Sequence, residues 1–196
     1  VPIDGAHEAM FNVNPKTANQ MNFHLLQRSV HAYGGLTFAE LLHGGPYVNL
    51  PDYPRLGADN YVVGGHEVKA ATVEDMEGVC ALFAQYAQWC RAARFDGLMI
   101  SMGHGWLFSN FLSPLTNHRT DEFGGSVANR CRFPMMVIQA IRQAIGDDLL
   151  IELRLNGSDE LEGGITPEDC AQQVLVFQEA VDMIHISCGN RLDAMA

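Results

Sequence analysis

A short apolar run, Gly97-Leu98-Met99-Ile100, gives way abruptly to Ser101, His104 and Trp106. A run of that length suits a strand buried on both faces. Polar groups released at the end of such a strand are how α/β proteins build sites. The Ser101 hydroxyl can donate one hydrogen bond, and the His104 imidazole can donate, accept and titrate near neutrality. Trp106 has an indole N–H but no readily transferred proton, so it can stack or pack but cannot serve as a general acid. Two charged residues mark other apolar runs. Glu40 in FAELLHGG is a pure acceptor when ionised, and its plain alternative is a solvated strand end. Arg154 in LIELRLNGS is costly on the inward side of a buried strand unless an anion meets it. That anion is either a bound group or a structural partner such as Glu152 or Asp159.

Other chemistries fail on spacing. The sequence has no G-x-G-x-x-G after a strand, no G-x-S-x-G elbow and no His/Glu or Cys/His group at zinc spacing. Glu160 and Glu162 read as a solvated turn. The charged run Arg119 to Gly125 reads as loop architecture, locked by Asp121 and the arginines of ANRCRF and closed by a Ser126 cap. His43, beside Gly44-Gly45, reads as a hydrogen-bonded structural group, and His185 alternates with Met183 and Ser187 on one side of a strand.

These residues need elements to hold them, and the pattern supplies helices alternating with short strands. Met21, Leu25, Leu26 and Val30 recur at helical spacing over 17–33, ending at Gly34-Gly35. Strands are expected at Leu36 to Leu42, Gly97 to Ser101, Leu149 to Leu155 and Asp182 to Ser187. Residues 43–72 are rich in Gly and Pro and read as an excursion with a hairpin at Tyr61 to Lys69. Thr72 with Asp75 opens a helix to about Arg94, a second helix runs Val127 to Ile145, and Thr166-Pro167 starts a third. After Trp106 a long charged loop is expected. Such alternation implies parallel strands with helical crossovers. The four visible strands amount to half of an eight-stranded barrel.

Two blocks, GHGWLFSNFLSPLTNHRTDEFGGS and ANRCRF, resemble in order and spacing a signature of the old yellow enzyme family, the FMN-dependent NADH:flavin oxidoreductases and ene-reductases. The resemblance runs more weakly over nearly the whole chain and implies a single domain, residues 1–196, forming the central portion of an FMN-binding TIM (β/α)8 barrel. In such proteins the flavin lies at the C-terminal strand ends. The resemblance places Glu40 where a Gln or Glu bonds the flavin pyrimidine, and Arg154 where an arginine reaches the N1 and O2 side. It also places Ser101, His104 and Trp106 where family members carry His, then His or Asn, then Tyr. There the first two grip the acceptor's carbonyl oxygen and the Tyr protonates the adjacent carbon. The implied reaction passes hydride from NAD(P)H through flavin to an activated alkene or similar acceptor. Ser101 reaches less far than an imidazole, and Trp106 leaves the proton to water or another group. Larger relatives add an iron–sulfur cluster and an FAD-type flavin domain, and no such machinery is present in this sequence.

Bulk properties narrow the partners. A net charge of −11 with no basic stripe argues against nucleic acid and anionic membranes. No apolar run approaches the roughly 20 residues that span a bilayer. Five scattered cysteines, never C-x-x-C, suit reduced thiols in the cytosol and give no iron–sulfur run. The N-terminus shows neither an initiator Met nor a signal peptide, so a fragment or processed chain is expected. The expected partners are a small-molecule substrate and, because half a barrel leaves sheet edges open, a second copy or a completing half. The competing expectation is a non-catalytic scaffold, because Ser101 and Trp106 depart from the family pattern and no phosphate-binding loops of strands seven and eight are seen.

Overall fold

Alternation along β6, Leu150–Ser158, sets the architecture. Ile151, Leu153 and Leu155 are fully buried and join one apolar cluster, while Glu152, Arg154 and Asn156 fall on the opposite face. The same division holds in β1 (Phe38–Leu41) and β5 (Gly97–Ser101), where Ala39, Leu41, Leu98 and Ile100 join that cluster. The computed structural model, which describes residues 17–49 and 53–192, pairs these strands with β7 (Met183–Cys188) in a wholly parallel sheet of order β1-β5-β6-β7.

Helices cover one face of this sheet. α2 (Val73–Ala92) contributes Val79 and Phe83, α5 (Arg132–Ile145) contributes Val137, Ile138 and Ile141, and α6 (Pro167–Phe177) contributes Phe177. At about 25 cal/mol per Å² of apolar area, this buried layer is the main source of stability. Among the described residues the other face carries no helical layer and is largely polar. Register places Glu40, Met99, Glu152 and Met183 in one row across it, with Ser101, Arg154 and His185 in the next row. Near the N-terminal strand ends Gly97 is required, because a Cβ there would lie 2.2 Å from the Phe38 ring on the neighbouring strand.

Several elements follow directly from local chemistry. α1 (Thr17–His31) precedes a turn at Gly34, whose φ is 74°. Both α2 and α6 begin with a complete capping box, Thr72 with Asp75 and Thr166 with Asp169. The excursion between β1 and α2 holds a 3-10 turn, Gly45–Tyr47, and a small sheet of β2 (Leu56–Gly57), β3 (Tyr61–Val63) and β4 (His66–Ala70). Here β3 and β4 form an antiparallel hairpin.

Two expectations are corrected. The loop expected after Trp106 contains a buried helix, α3 (Leu107–Leu112), whose six residues are all apolar or hydrogen-bonded within the core. The helix expected over Val127 to Ile145 is divided into α4 (Val127–Arg130) and α5 at Cys131. Pro134 explains the division, since it has no N–H for the Arg130 carbonyl and its ring crowds that carbonyl. Pro134 is tolerated because it falls in the first turn of α5.

The charged loop is indeed architecture, with a different pairing. Asp121 binds Arg119 at 2.5 Å, and Arg119 also donates to the carbonyls of Ala58 and Ala71. Arg130 donates to the Leu112 and Gly125 carbonyls and pairs with Asp169 at 3.0 Å. All five cysteines are free thiols, four of them buried. Among the described residues, no helix is long and apolar enough to cross a membrane.

Candidate functional site

The C-terminal ends of β1, β5 and β6 bring three charged or titratable groups together. Arg154 Nη1 lies 3.5 Å from Glu40 Oε1, with side-chain exposures of 29% and 34%, so the pair borders the open face. Glu40, rather than Glu152 or Asp159, is therefore the arginine's carboxylate partner. Glu152 instead meets His185 at 3.2 Å, and Asp159 is fully buried elsewhere. Ser101 is the register partner of Arg154 and is itself buried. Among the described residues, the Ser101 hydroxyl and the Arg154 Nε are both buried without a hydrogen-bond partner. An orphaned donor costs about 1–3 kcal/mol. Two on adjacent strands, beside a half-exposed ion pair, fit a planar, acceptor-rich ligand against this face.

His104 belongs to the same group. It has the left-handed backbone φ of 62°, uncommon for a residue with a Cβ. Asn156 imposes that conformation. Its Oδ1 accepts the His104 backbone N–H at 3.0 Å, and its Nδ2 donates to Asp159 Oδ1 at 2.8 Å and to the Gly189 carbonyl at 2.9 Å. Asp159 in turn accepts from the Ser113 hydroxyl at 2.6 Å and the Ile165 N–H at 2.9 Å. Gly103 has no room for a side chain, because a Cβ would meet Asn156 Oδ1 at 2.5 Å. The imidazole Nε2 lies 3.1 Å from Ser187 Oγ at the end of β7. Burial first, and then the Arg154 and His185 charges, push the His104 pKa below its ordinary 6.5 despite the opposing pull of Glu40. The ring is consequently neutral at pH 7.

Trp106 stands apart from this group. It meets Tyr47 edge-on, with centroids 5.6 Å apart and planes at 88°, in a small cluster with Val63 and Val68 of the hairpin. Arg191 places its guanidinium 5.1 Å from each of these two ring centroids. Burial pushes the Tyr47 hydroxyl up to about 12, with Arg191 opposing. His43 is buried, and its Nδ1 accepts the Gly45 N–H at 3.1 Å. No group of three or more His, Cys, Asp or Glu among the described residues is arranged to hold a metal ion.

Sequence reasoning thus gathers Glu40, Ser101, Arg154 and His104 at one end of one face. It missed Asn156, Asp159, Ser187, Tyr47 and Arg191. The glycines that bracket His104 were the available signal, since they announce a backbone pressed against something.

The family model described as NADH:flavin oxidoreductase / NADH oxidase matches residues 10–196. An NADH oxidase of Thermoanaerobacter brockii is 32% identical over 175 residues, which cover 85% of this chain and 27% of that protein. A cinnamate reductase of Clostridium sporogenes is 29% identical over 194 residues, 91% of this chain and 29% of that protein. The solved structure of an old yellow enzyme homologue from Zymomonas mobilis superposes with a TM-score of 0.78 at 24% identity, covering 89% of this chain and 54% of that one. That match supports a partial TIM-barrel fold. The chain spans between about a quarter and about half of the length of these proteins.

Proposed function

The chain belongs to the NADH:flavin oxidoreductase / NADH oxidase family, and from that premise we propose that it supplies the flavin-facing part of an FMN-dependent oxidoreductase. The acceptor in this reading is an activated alkene conjugated to a carbonyl, and NAD(P)H is the reductant. One observation carries the reading: Arg154 with its orphaned Nε, Glu40, Ser101 with its orphaned hydroxyl and His104 meet at the C-terminal end of the open sheet face.

Arg154 and Glu40 would hold the flavin ring. A fixed guanidinium suits the side of the ring that becomes negative on reduction, and a carboxylate can accept from the ring's imide N–H. When bound, FMN would take two electrons from NAD(P)H and return them to the acceptor as hydride. His104, neutral and held by Asn156, retains one ring N–H to donate, and Ser101 offers a second donor. Together they would orient the acceptor's carbonyl oxygen and withdraw electron density from the conjugated C=C. Trp106, packed edge-on against Tyr47, takes no part in proton transfer. The proton for the neighbouring carbon is delivered by water.

The test is Arg154→Ala in the polypeptide at its full length, read by visible absorbance after FMN addition and desalting. The expected outcome is at least a tenfold loss of FMN affinity, about 1.4 kcal/mol, with a matching fall in turnover. Unchanged flavin binding and turnover would remove Arg154 from the site. A second reading, a non-catalytic binding module, is favoured by Trp106, which stands where the family resemblance implies a Tyr proton donor. A folded but colourless unmutated protein would favour that second reading.

A further inference from the structure

Arg191 occupies a corner of the mouth that the reaction as proposed does not use. Its backbone N–H donates to the His104 carbonyl at 3.3 Å, so it is tied to the residue assigned to orient the acceptor. Its side chain is exposed, while the rings of Tyr47 and Trp106 stand at right angles around the guanidinium at 5.1 Å each. Tyr47, Val63 and Val68 form the apolar floor beneath. Cation–π contacts with two rings fix the guanidinium in place and exclude water from one side. They use the π faces of the rings and leave the in-plane N–H donors of the guanidinium available.

Among the described residues those donors meet no carboxylate. Among the described residues Arg191 makes no ion pair, whereas Arg154, the other arginine at this end, is matched by Glu40. An immobilised guanidinium with free in-plane donors is the arrangement that recognises carboxylate or phosphate in bidentate fashion.

We propose that Arg191, walled by Tyr47 and Trp106, is a subsite for a carboxylate that the acceptor carries away from its reacting carbonyl. This rests on the acceptor reading above and deepens it, because it assigns the substrate class: conjugated carbonyl compounds with a distal anionic group. It also gives Trp106 work that needs no transferable proton.

The experiment compares two probes with the flavin-loaded protein in the absence of NAD(P)H, by calorimetric titration. One probe is 4-(3-oxobut-1-enyl)benzoate, an enone with a distal carboxylate, and the other is its methyl ester. The unmutated protein is expected to bind the carboxylate about tenfold more tightly. In Arg191→Gln the ratio of the two dissociation constants collapses toward one, and Arg191→Lys, which keeps the charge and loses the fork, retains part of it. An unaltered ratio in Arg191→Gln, with native circular dichroism, overturns the proposal. If Arg191→Gln instead weakens binding of ADP-ribose and spares the ratio, the anion is a nucleotide phosphate and the acceptor assignment is wrong. Failure of the unmutated flavin-loaded protein to bind either probe brings down the acceptor reading itself, and this assignment with it.

Discussion

His104 is held where a proton is unwelcome. Burial and the neighbouring Arg154 keep its pKa below 6.5, so the folded chain binds this proton more weakly than the unfolded chain. Stability therefore rises with pH between the depressed folded value and 6.5, and this contribution is flat above 6.5. If neutral His104 orients the acceptor, the acid limb of kcat/KM for the acceptor falls below pH 6.5. Removing the Arg154 charge moves that limb upward. An acid limb that stays put in Arg154→Gln, which removes the charge, and in His104→Gln alike would assign it to another group. At this scale, the nearness of Ser101 and Arg154 was legible because polarity on an apolar strand is anomalous on its own, whereas the roles expected of Glu40 and His104 came from the family resemblance. Asn156 and Asp159 were not legible, since their partners Ser113, His104 and Gly189 lie on other loops. Nothing in N-G-S-D says that a buried amide there will fix a distant backbone.

The elements are secured at their ends by repeated devices. Asp96, just before β5, accepts from the Thr37 N–H at 2.7 Å, and Asp182, just before β7, accepts from the Ile151 N–H at 2.8 Å. Each carboxylate thus ties the start of one strand to its neighbour, and each adds a side-chain partner, the His31 imidazole at 2.8 Å or the Arg142 guanidinium at 2.7 Å. At the other end of the strands sit the groups proposed for chemistry, so the two rims have separate duties. The capping boxes are equally local. Thr166→Ala removes the acceptor for the Asp169 N–H and is expected to cost about 1 kcal/mol, lowering Tm by roughly 2–4 °C in a chain of this size. A thermal melt showing no shift would mean that packing of α6 on β6 outweighs the cap. These boxes were readable because their partners lie three residues apart. The break at Cys131 was readable too, from Pro134, but strong apolar periodicity on both sides hid it. α3 escaped because six residues are too few to show a period.

The molecule as a whole is a sheet with one covered face, and that much was legible from alternating strands and helices alone. What half-exposure leaves on the open face was not, since sequence periodicity says nothing about what lies opposite a wall. Leu150 and Met183 there are 39% and 47% exposed, and β1 and β7 are edge strands among the described residues. Expressed without further sequence, residues 1–196 are expected to associate with rising concentration. Sedimentation velocity tests this, and a monomer at every concentration would show that the open face is satisfied within the chain. The alternation along β6 has a further consequence, for variation. Odd positions, Ile151, Leu153 and Leu155, answer to the helices, whereas even positions answer to the opposite face, where Arg154 is proposed to meet the ligand and Asn156 holds the His104 backbone. Point changes at Arg154 are expected to alter chemistry with little change to the scaffold, whereas changes at the odd positions are expected to lower stability first. Deleting a single residue at the head of the strand would exchange the two alphabets at once, turning a guanidinium toward the apolar layer and a leucine toward the face proposed for the flavin.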